Sequence, residues 1–255
     1  MAPHRALLRA VECKLMGSVP MSGQQHRPVL DIGVGDGHFA SIAYTEPIDV
    51  GIDVRHSELV EAAQRGRTVY RTVALASATE LPFADHAFRT VLSNCVIEHI
   101  VDNKAVLTEI ARVLQPGGTF ATTLPSEHFA DMLLGSTVLR RLGANRLAAA
   151  YGRFFNRISF HHHVYEPAEW QRRLEAVGLR VVDHQYYFSA RAHRVFDASH
   201  YLGVPNLVTR KLTGRWVVHP LQMKPFERWM RPYYDEPLPQ PTGAYQFIRC
   251  VKAGP

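Results

Sequence analysis

The sequence predicts an α/β protein built around a parallel sheet, and three observations carry that reading. Short apolar runs alternate with amphipathic helical patterns through the first 125 residues, the signature of repeated strand–helix units. A glycine-rich turn, Gly33-Val34-Gly35-Asp36-Gly37, joins the first run to a helical pattern. The chain has 255 residues, 46% apolar and 20% charged, which suffices to bury a full core without disulfide or metal support.

Taken in order, a helix is expected over residues 4–16 and a strand over 28–32 (PVLDI). A helix near 37–45 follows the glycine turn, then a strand at 48–53 (IDVGID) and a helix at 56–65, which His56 or Ser57 is placed to cap. Strands are expected near 69–76 and at 88–94 (FRTVLSN). The clearest helix is 103–114, where Val106, Leu107, Ile110, Val113 and Leu114 form one apolar stripe. Asp102 stands at its N-cap, and Pro116-Gly117-Gly118 is expected to stop it before a strand at 119–125. Alternation then breaks over 126–163, an arginine-dotted helical insertion. It resumes with a helix at 167–177, for which Pro167 suits the first turn and Gly178 the stop. A strand at 179–188, a second interruption at 189–240 rich in arginine, aromatics and proline, and a final strand at 244–252 complete the chain. The organisation expected is one domain, 1–255, with cap insertions at 126–163 and 189–240.

Composition excludes several classes. No apolar run approaches the roughly 20 residues of a bilayer span, and Arg9, Glu12 and Lys14 interrupt the N-terminus where a signal peptide needs an apolar stretch. Cys13, Cys95 and Cys250 form no CxxC motif and read as reduced thiols of a cytosolic protein. Charge is divided unevenly. Residues 1–125 carry 11 Lys/Arg against 13 Asp/Glu, whereas 126–255 carry 18 against 10. The basic second half suits an anionic partner or substrate, and equally a solvated surface.

The glycine turn indicates what the first half holds. Its spacing is GxGxG, not the GxGxxG of dinucleotide binders. Asp31 and Asp36 place carboxylates beside it, which would repel a pyrophosphate and attract a ligand bearing an ammonium and a sulfonium. That favours S-adenosylmethionine over NAD. Asp53, sixteen residues past Gly37, ends the second strand, where a carboxylate can accept both ribose hydroxyls.

The ordered set VLDIGVGDG (29–37), GIDV (51–54), SATELPFADHAFRTVLSNCVIEHI (77–100) and EIARVLQPGGTF (109–120) resembles a class I S-adenosylmethionine-dependent methyltransferase of the small-molecule, type 11-like branch. The resemblance is strong over residues 25–125 and weak over 164–188 and 244–252. It implies a Rossmann-like seven-stranded sheet in the order 3-2-1-4-5-7-6, the last strand antiparallel, with helices on both faces. It also implies that Asp31 and the Gly33, Gly35 and Gly37 turn hold the methionine end of the cofactor and Asp53 the ribose. Val54 would pack on the adenine, Ser77, Ala78 and Thr79 would border it, and Asn94 and Cys95 would line the floor near the methionine. Ser77 stands where the family often has an aspartate that bonds the adenine amino group.

His99 follows the fourth strand, where acceptor and methyl group should meet, and is the candidate proton acceptor; the alternative is that it only packs beside the cofactor. His161-His162-His163 invites a metal reading. Consecutive residues of an extended chain face opposite ways, and no HxxxH motif supports them, so no metal is expected. The aromatic groups Tyr186–Phe188, Phe226, Trp229, Tyr233 and Tyr234 read more readily as core than as a ligand cage.

The expected function is methyl transfer to a small-molecule or lipid-linked acceptor, anionic in character given the basic insertions, with peripheral membrane attachment as one way to reach it. The rivals are an NAD(P)-dependent oxidoreductase and a catalytically silent cofactor-binding protein. Nucleic acid is not expected as a substrate, because SNCVIEH lacks the Asn/Asp-Pro-Pro-aromatic pattern of base amino methyltransferases.

Overall fold

The structure is a computed structural model that describes residues 5–202 and 224–254, with the side chains of 201 and 202 left out. Within the second insertion, 189–240, residues 203–223 and the side chains of Tyr201 and Leu202 lie outside the described residues. One seven-stranded sheet runs β3-β2-β1-β4-β5-β7-β6. Its strands are β1 Val29–Ile32, β2 Ile48–Asp53, β3 Tyr70–Leu75, β4 Phe88–Asn94, β5 Leu114–Pro125, β6 Leu179–Tyr187 and β7 Tyr245–Lys252. The helices of the first half are α1 Ala6–Met16, α2 His38–Ala43, α3 His56–Gln64 and α4 Asn103–Val113. Those of the second are α5 Phe129–Met132, α6 Leu134–Arg141, α7 Asn145–Ile158, α8 Pro167–Glu175, α9 Ala190–Leu202 and α10 Lys224–Tyr234.

Strand β1 pairs in parallel with β2 on one side and β4 on the other; β2 continues to β3 and β4 to β5. The Ala253 N–H donates to Gly178 O and the Ala244 N–H to Phe188 O, both at 2.9 Å, so β7 runs against β6. The sequence order of strands reverses between β1 and β4, and ligands of such sheets lie beyond the carboxyl ends of the strands at that point. All four residues of β1 are buried, as a strand covered on both faces must be.

By compactness the chain divides into two units. One comprises residues 12–126, 160–185 and 246–255; the other comprises 1–11, 127–159 and 186–245. The core of the first is built from Leu30, Ile32, Val91, Phe120 and the α4 stripe of Val106, Leu107, Ile110 and Val113, with Trp170 of α8 fully buried. Each such side chain stabilises the fold by about 1.5–3 kcal/mol. Asp102 caps α4 by accepting the Ala105 N–H at 3.0 Å. Glu109 of α4 accepts the Leu81 N–H at 2.6 Å. Arg112 donates to Leu81 O and Phe83 O, tying the Leu81-Pro82-Phe83 segment to the helix.

In the second unit, Asp197 is fully buried on α9. It accepts from the Tyr151 hydroxyl at 3.0 and 3.1 Å and from the Gly135 N–H at 3.2 Å, joining α6, α7 and α9. A side chain at Gly135 would overlap the Tyr151 ring. Phe129, Phe188, His193, Phe196 and Tyr245 pack ring on ring, so part of the aromatic content is core. Trp229 is 40% exposed.

Two local expectations are corrected. Neither His56 nor Ser57 caps α3; Arg55 holds the N-cap position and makes no side-chain cap bond. Pro116-Gly117-Gly118 does not end α4, which stops at Val113; those residues lie inside β5. They form an irregularity there, where the register jumps from Phe88↔Leu114 to Thr90↔Thr119. Arg89 holds it by donating to Pro116 O at 2.8 Å. No helix among the described residues is long and apolar enough to cross a membrane.

Candidate cofactor and acceptor site

The glycine turn leaves β1 at Ile32 and enters α2 at His38. Gly33, Gly35 and Gly37 all have positive φ, at 77°, 54° and 71°, a region that side chains other than glycine's avoid. The three differ in what surrounds them. A Cβ on Gly33 would overlap Val96, and one on Gly37 would press on Ala62 and Arg65. At Gly35, among the described residues, only Glu58 Oε2 comes near, at 3.9 Å. Gly33 and Gly37 are therefore required by packing within the protein, whereas Gly35 borders open space.

Asp53, at the end of β2, is 7% exposed. Its Oδ2 accepts the Gly35 N–H and its Oδ1 the Arg55 N–H, each at 2.9 Å. A carboxylate offers about four acceptor sites, so two donors leave capacity for the hydroxyls of a ribose. Val54 follows directly and is 66% exposed, an apolar surface beside the carboxylate.

The electrostatic argument from Asp31 and Asp36 is corrected. Asp31 is buried within β1 and accepts from the Tyr70 hydroxyl at 2.6 Å. Burial pushes its carboxyl up to about 7 despite that bond, and the nearby Asp53 charge adds to the rise. Asp36 accepts the His38 N–H at 2.9 Å and pairs with Arg65 at 3.3 Å. Neither presents an uncompensated charge to the turn, because Tyr70 of β3 and Arg65, just past the end of α3, reach them from distant parts of the sequence.

Ser77 and Thr79 stand together, their hydroxyls 2.7 Å apart, with the Thr79 N–H donating to Ser77 Oγ at 3.2 Å. Ala78 stands between them. Its methyl is buried in the hydrophobic core, so only its backbone is available to a ligand.

Asn94 and Cys95 are brought together where β4 ends, and with them a residue that sequence reasoning missed. Glu12 of α1 is fully buried; it accepts from Asn94 Nδ2 at 2.9 Å and from the Cys95 thiol at 3.3 Å. Thr123 of β5 completes the group: its hydroxyl donates to Asn94 Oδ1 at 2.7 Å, and its carbonyl accepts the Cys95 N–H at 3.0 Å. Cys95 has φ 50°. The signal for Glu12 was present in the sequence, since it lies among Leu8, Val11 and Leu15 on the apolar side of α1.

His99 ends a one-turn 3-10 helix, Ile97–His99, and its side chain is 39% exposed. Its Nδ1 lies 3.1 Å from Phe160 O. A carbonyl can only accept, so Nδ1 carries a proton and donates it to Phe160 O. Nε2 lies 3.6 Å from Glu98 Oε1.

An α/β sheet in this order, with a glycine turn and a buried acidic residue ending β2, defines the class I S-adenosylmethionine-dependent methyltransferase fold. Residues 30–122, just over a third of the chain, match the family model described as methyltransferase domain. A probable S-adenosylmethionine-dependent methyltransferase of Mycolicibacterium smegmatis is 29% identical over 175 residues, covering 68% of this chain and 60% of that protein. An O-methyltransferase of Aspergillus sclerotiorum is 37% identical over 109 residues, 39% of each chain. The chain thus spans about three fifths of the first relative and two fifths of the second. In fold it is similar to an S-adenosylmethionine-dependent methyltransferase of Thermotoga maritima, with TM-score 0.59 and 19% identity, covering 98% of this chain and 91% of that one.

Proposed function

We propose that this chain transfers a methyl group from S-adenosylmethionine to a small-molecule acceptor, at oxygen or nitrogen, by in-line displacement. The observation that carries the reading is the pairing of Gly35, which borders open space, with the buried Asp53 carboxylate, which has acceptor capacity to spare. S-adenosylmethionine, when bound, supplies a methyl group already activated on a sulfonium. The chain's own residues then bind and orient. Asp53 accepts from the ribose hydroxyls, and the Gly33–Gly37 turn lets the backbone come close. Val54, Ser77, Thr79 and the backbone at Ala78 border the adenine, and Asn94 and Cys95, held by Glu12 and Thr123, form the floor at the methionine end. Positioning of this kind contributes on the order of 7–11 kcal/mol in favourable cases. The O-methyltransferase relative supports oxygen as one acceptor atom.

A lipid-linked or anionic acceptor, reached from a membrane surface, is favoured by one further feature. Helix α7 exposes Leu147, Phe154 and Ile158 beside the exposed Arg146, Arg153 and Arg157. Residues 133–160 contain five arginines and no acidic residue, and such a face suits an anionic interface.

Calorimetric titration with S-adenosylmethionine and, separately, NADH tests the central reading, followed by assay of S-adenosylhomocysteine release across acceptor classes. Binding of the first and not the second is expected. Binding of NADH alone supports the oxidoreductase rival, and cofactor binding without turnover on any acceptor supports the silent one.

A further inference from the structure

We propose that Glu98, His99 and His161 hold a divalent transition-metal ion of the zinc type. Each offers one ligand atom, and the three atoms lie within 4.8 Å of one another. An ion with ligands about 2.0–2.2 Å away keeps its donors roughly 3–4 Å apart, so modest side-chain rotation closes the set. Two imidazoles and one carboxylate form a donor set used by ions that keep open coordination positions.

Three features of the surroundings prepare these residues for that role. The Nδ1–H of His99 donates to Phe160 O at 3.1 Å, which orients the ring and leaves Nε2 facing Glu98 Oε1, 3.6 Å away, as the atom that would bind an ion once deprotonated. This is the outer bond that orients metal-binding imidazoles. The backbone of Glu98 anchors the histidine run: its carbonyl accepts the His162 N–H at 2.9 Å and the His163 N–H at 3.3 Å. His163 Nε2 in turn lies 2.9 Å from Ile100 O. With its two successors pinned, His161 stacks on His99, ring centroids 5.5 Å apart and 25° from parallel. One histidine of the three thus faces the cluster, since His163 is held instead by Ile100 O.

Charge and access agree with the assignment. Glu98 is 1% exposed while His99 is 39% exposed. The Glu98 carboxylate gives a divalent cation an anionic donor, and the exposed imidazole of His99 leaves the ion a way in. The expectation of no metal weighed the histidines as one run; the cluster instead takes one of them with a pair some 60 residues earlier. What the ion would act on rests on the proposed function. Three protein donors leave positions for oxygens of solvent or of an acceptor, just beyond the end of β4. Ion binding itself does not depend on that reading.

Chelator-treated protein is titrated with Zn2+ by calorimetry, and with Co2+ by visible absorption, in wild type and in Glu98→Gln, His99→Asn, His161→Asn and His162→Asn. One equivalent is expected in wild type and in His162→Asn. Binding should weaken by about 100-fold or more in the other three, beyond the 10–100-fold that loss of an outer partner costs. The chain holds 14 histidines, so binding that persists in both Glu98→Gln and His161→Asn places the ion elsewhere and overturns the proposal, as does the absence of any one-equivalent site. Anomalous scattering from Zn2+-soaked wild-type crystals needs no variant: a peak among these three side chains is expected, and none there overturns the assignment. Asp53→Asn separates the two readings, since it should keep zinc binding while losing S-adenosylmethionine.

Discussion

Asp53 at the end of β2 accepts the backbone N–H of Gly35 at 2.9 Å, so the carboxylate proposed to hold the ribose also fixes the glycine turn. Asp53→Asn keeps the size and removes the charge. With charged hydrogen bonds worth about 1.5–3 kcal/mol each, S-adenosylmethionine affinity should fall roughly 10- to 100-fold or more. Calorimetry on variant protein with wild-type circular dichroism measures this, and unchanged affinity removes Asp53 from the site.

Gly35→Val should abolish cofactor binding. The new side chain meets little within the protein itself but fills the space left for the ligand. A branched residue at φ 54° also costs on the order of 1–3 kcal/mol in backbone strain. A folded variant that binds S-adenosylmethionine normally would show that the ligand does not cross this turn.

Asp31 makes stability depend on pH. Its carboxyl is raised from 3.8 to about 7, chiefly by burial, so the native state keeps a proton that the unfolded chain releases. The stabilisation is complete below about pH 4 and is lost as pH rises toward 7, by up to about 1.4 kcal/mol per pH unit. Asp31→Asn removes this dependence. Urea unfolding at pH 4.5 and 7.5 should show the variant gaining on wild type at the higher pH; a constant difference contradicts it.

Glu12→Ala strips an acceptor from Asn94 Nδ2 and the Cys95 thiol. Both donors are partly buried, and a lost hydrogen bond of this kind costs on the order of 1 kcal/mol. The variant should melt at lower temperature and bind S-adenosylmethionine more weakly, because the floor at the end of β4 is no longer fixed. Wild-type values for both would make Glu12 a bystander.

The α7 surface makes a prediction about membranes. Co-sedimentation with anionic vesicles is expected at low salt, weakening as salt rises, and should be reduced by Arg146→Glu with Arg153→Glu. Equal behaviour with neutral vesicles, or no binding, leaves a soluble acceptor.

Local pattern was enough for much of the architecture. The limits of β2 and β4, the α4 stripe, its Asp102 cap and Pro167 in the first turn of α8 were legible because each depends on neighbours within a few residues. Pro116-Gly117-Gly118 misled for the same reason: these residues read as a helix stop, yet pairing with β4 draws them into a strand.

Candidates for the site were legible in the sequence, and their partners were not. The sequence by itself singled out the glycine turn, Asp53 and His99 as candidates, since spacing along one chain carries them. Only the tertiary structure decided that Tyr70 bonds Asp31, that Arg65 neutralises Asp36, that Glu12 underlies Asn94 and Cys95, and that His161 stacks on His99. Those pairs are separated by between 29 and 83 residues. Long-range neighbours are set by how the sheet orders its strands and where the helices pack, and no local periodicity encodes them. Charge is the plainest case: carboxylates that look exposed and repulsive in the sequence become bonded once distant donors fold against them.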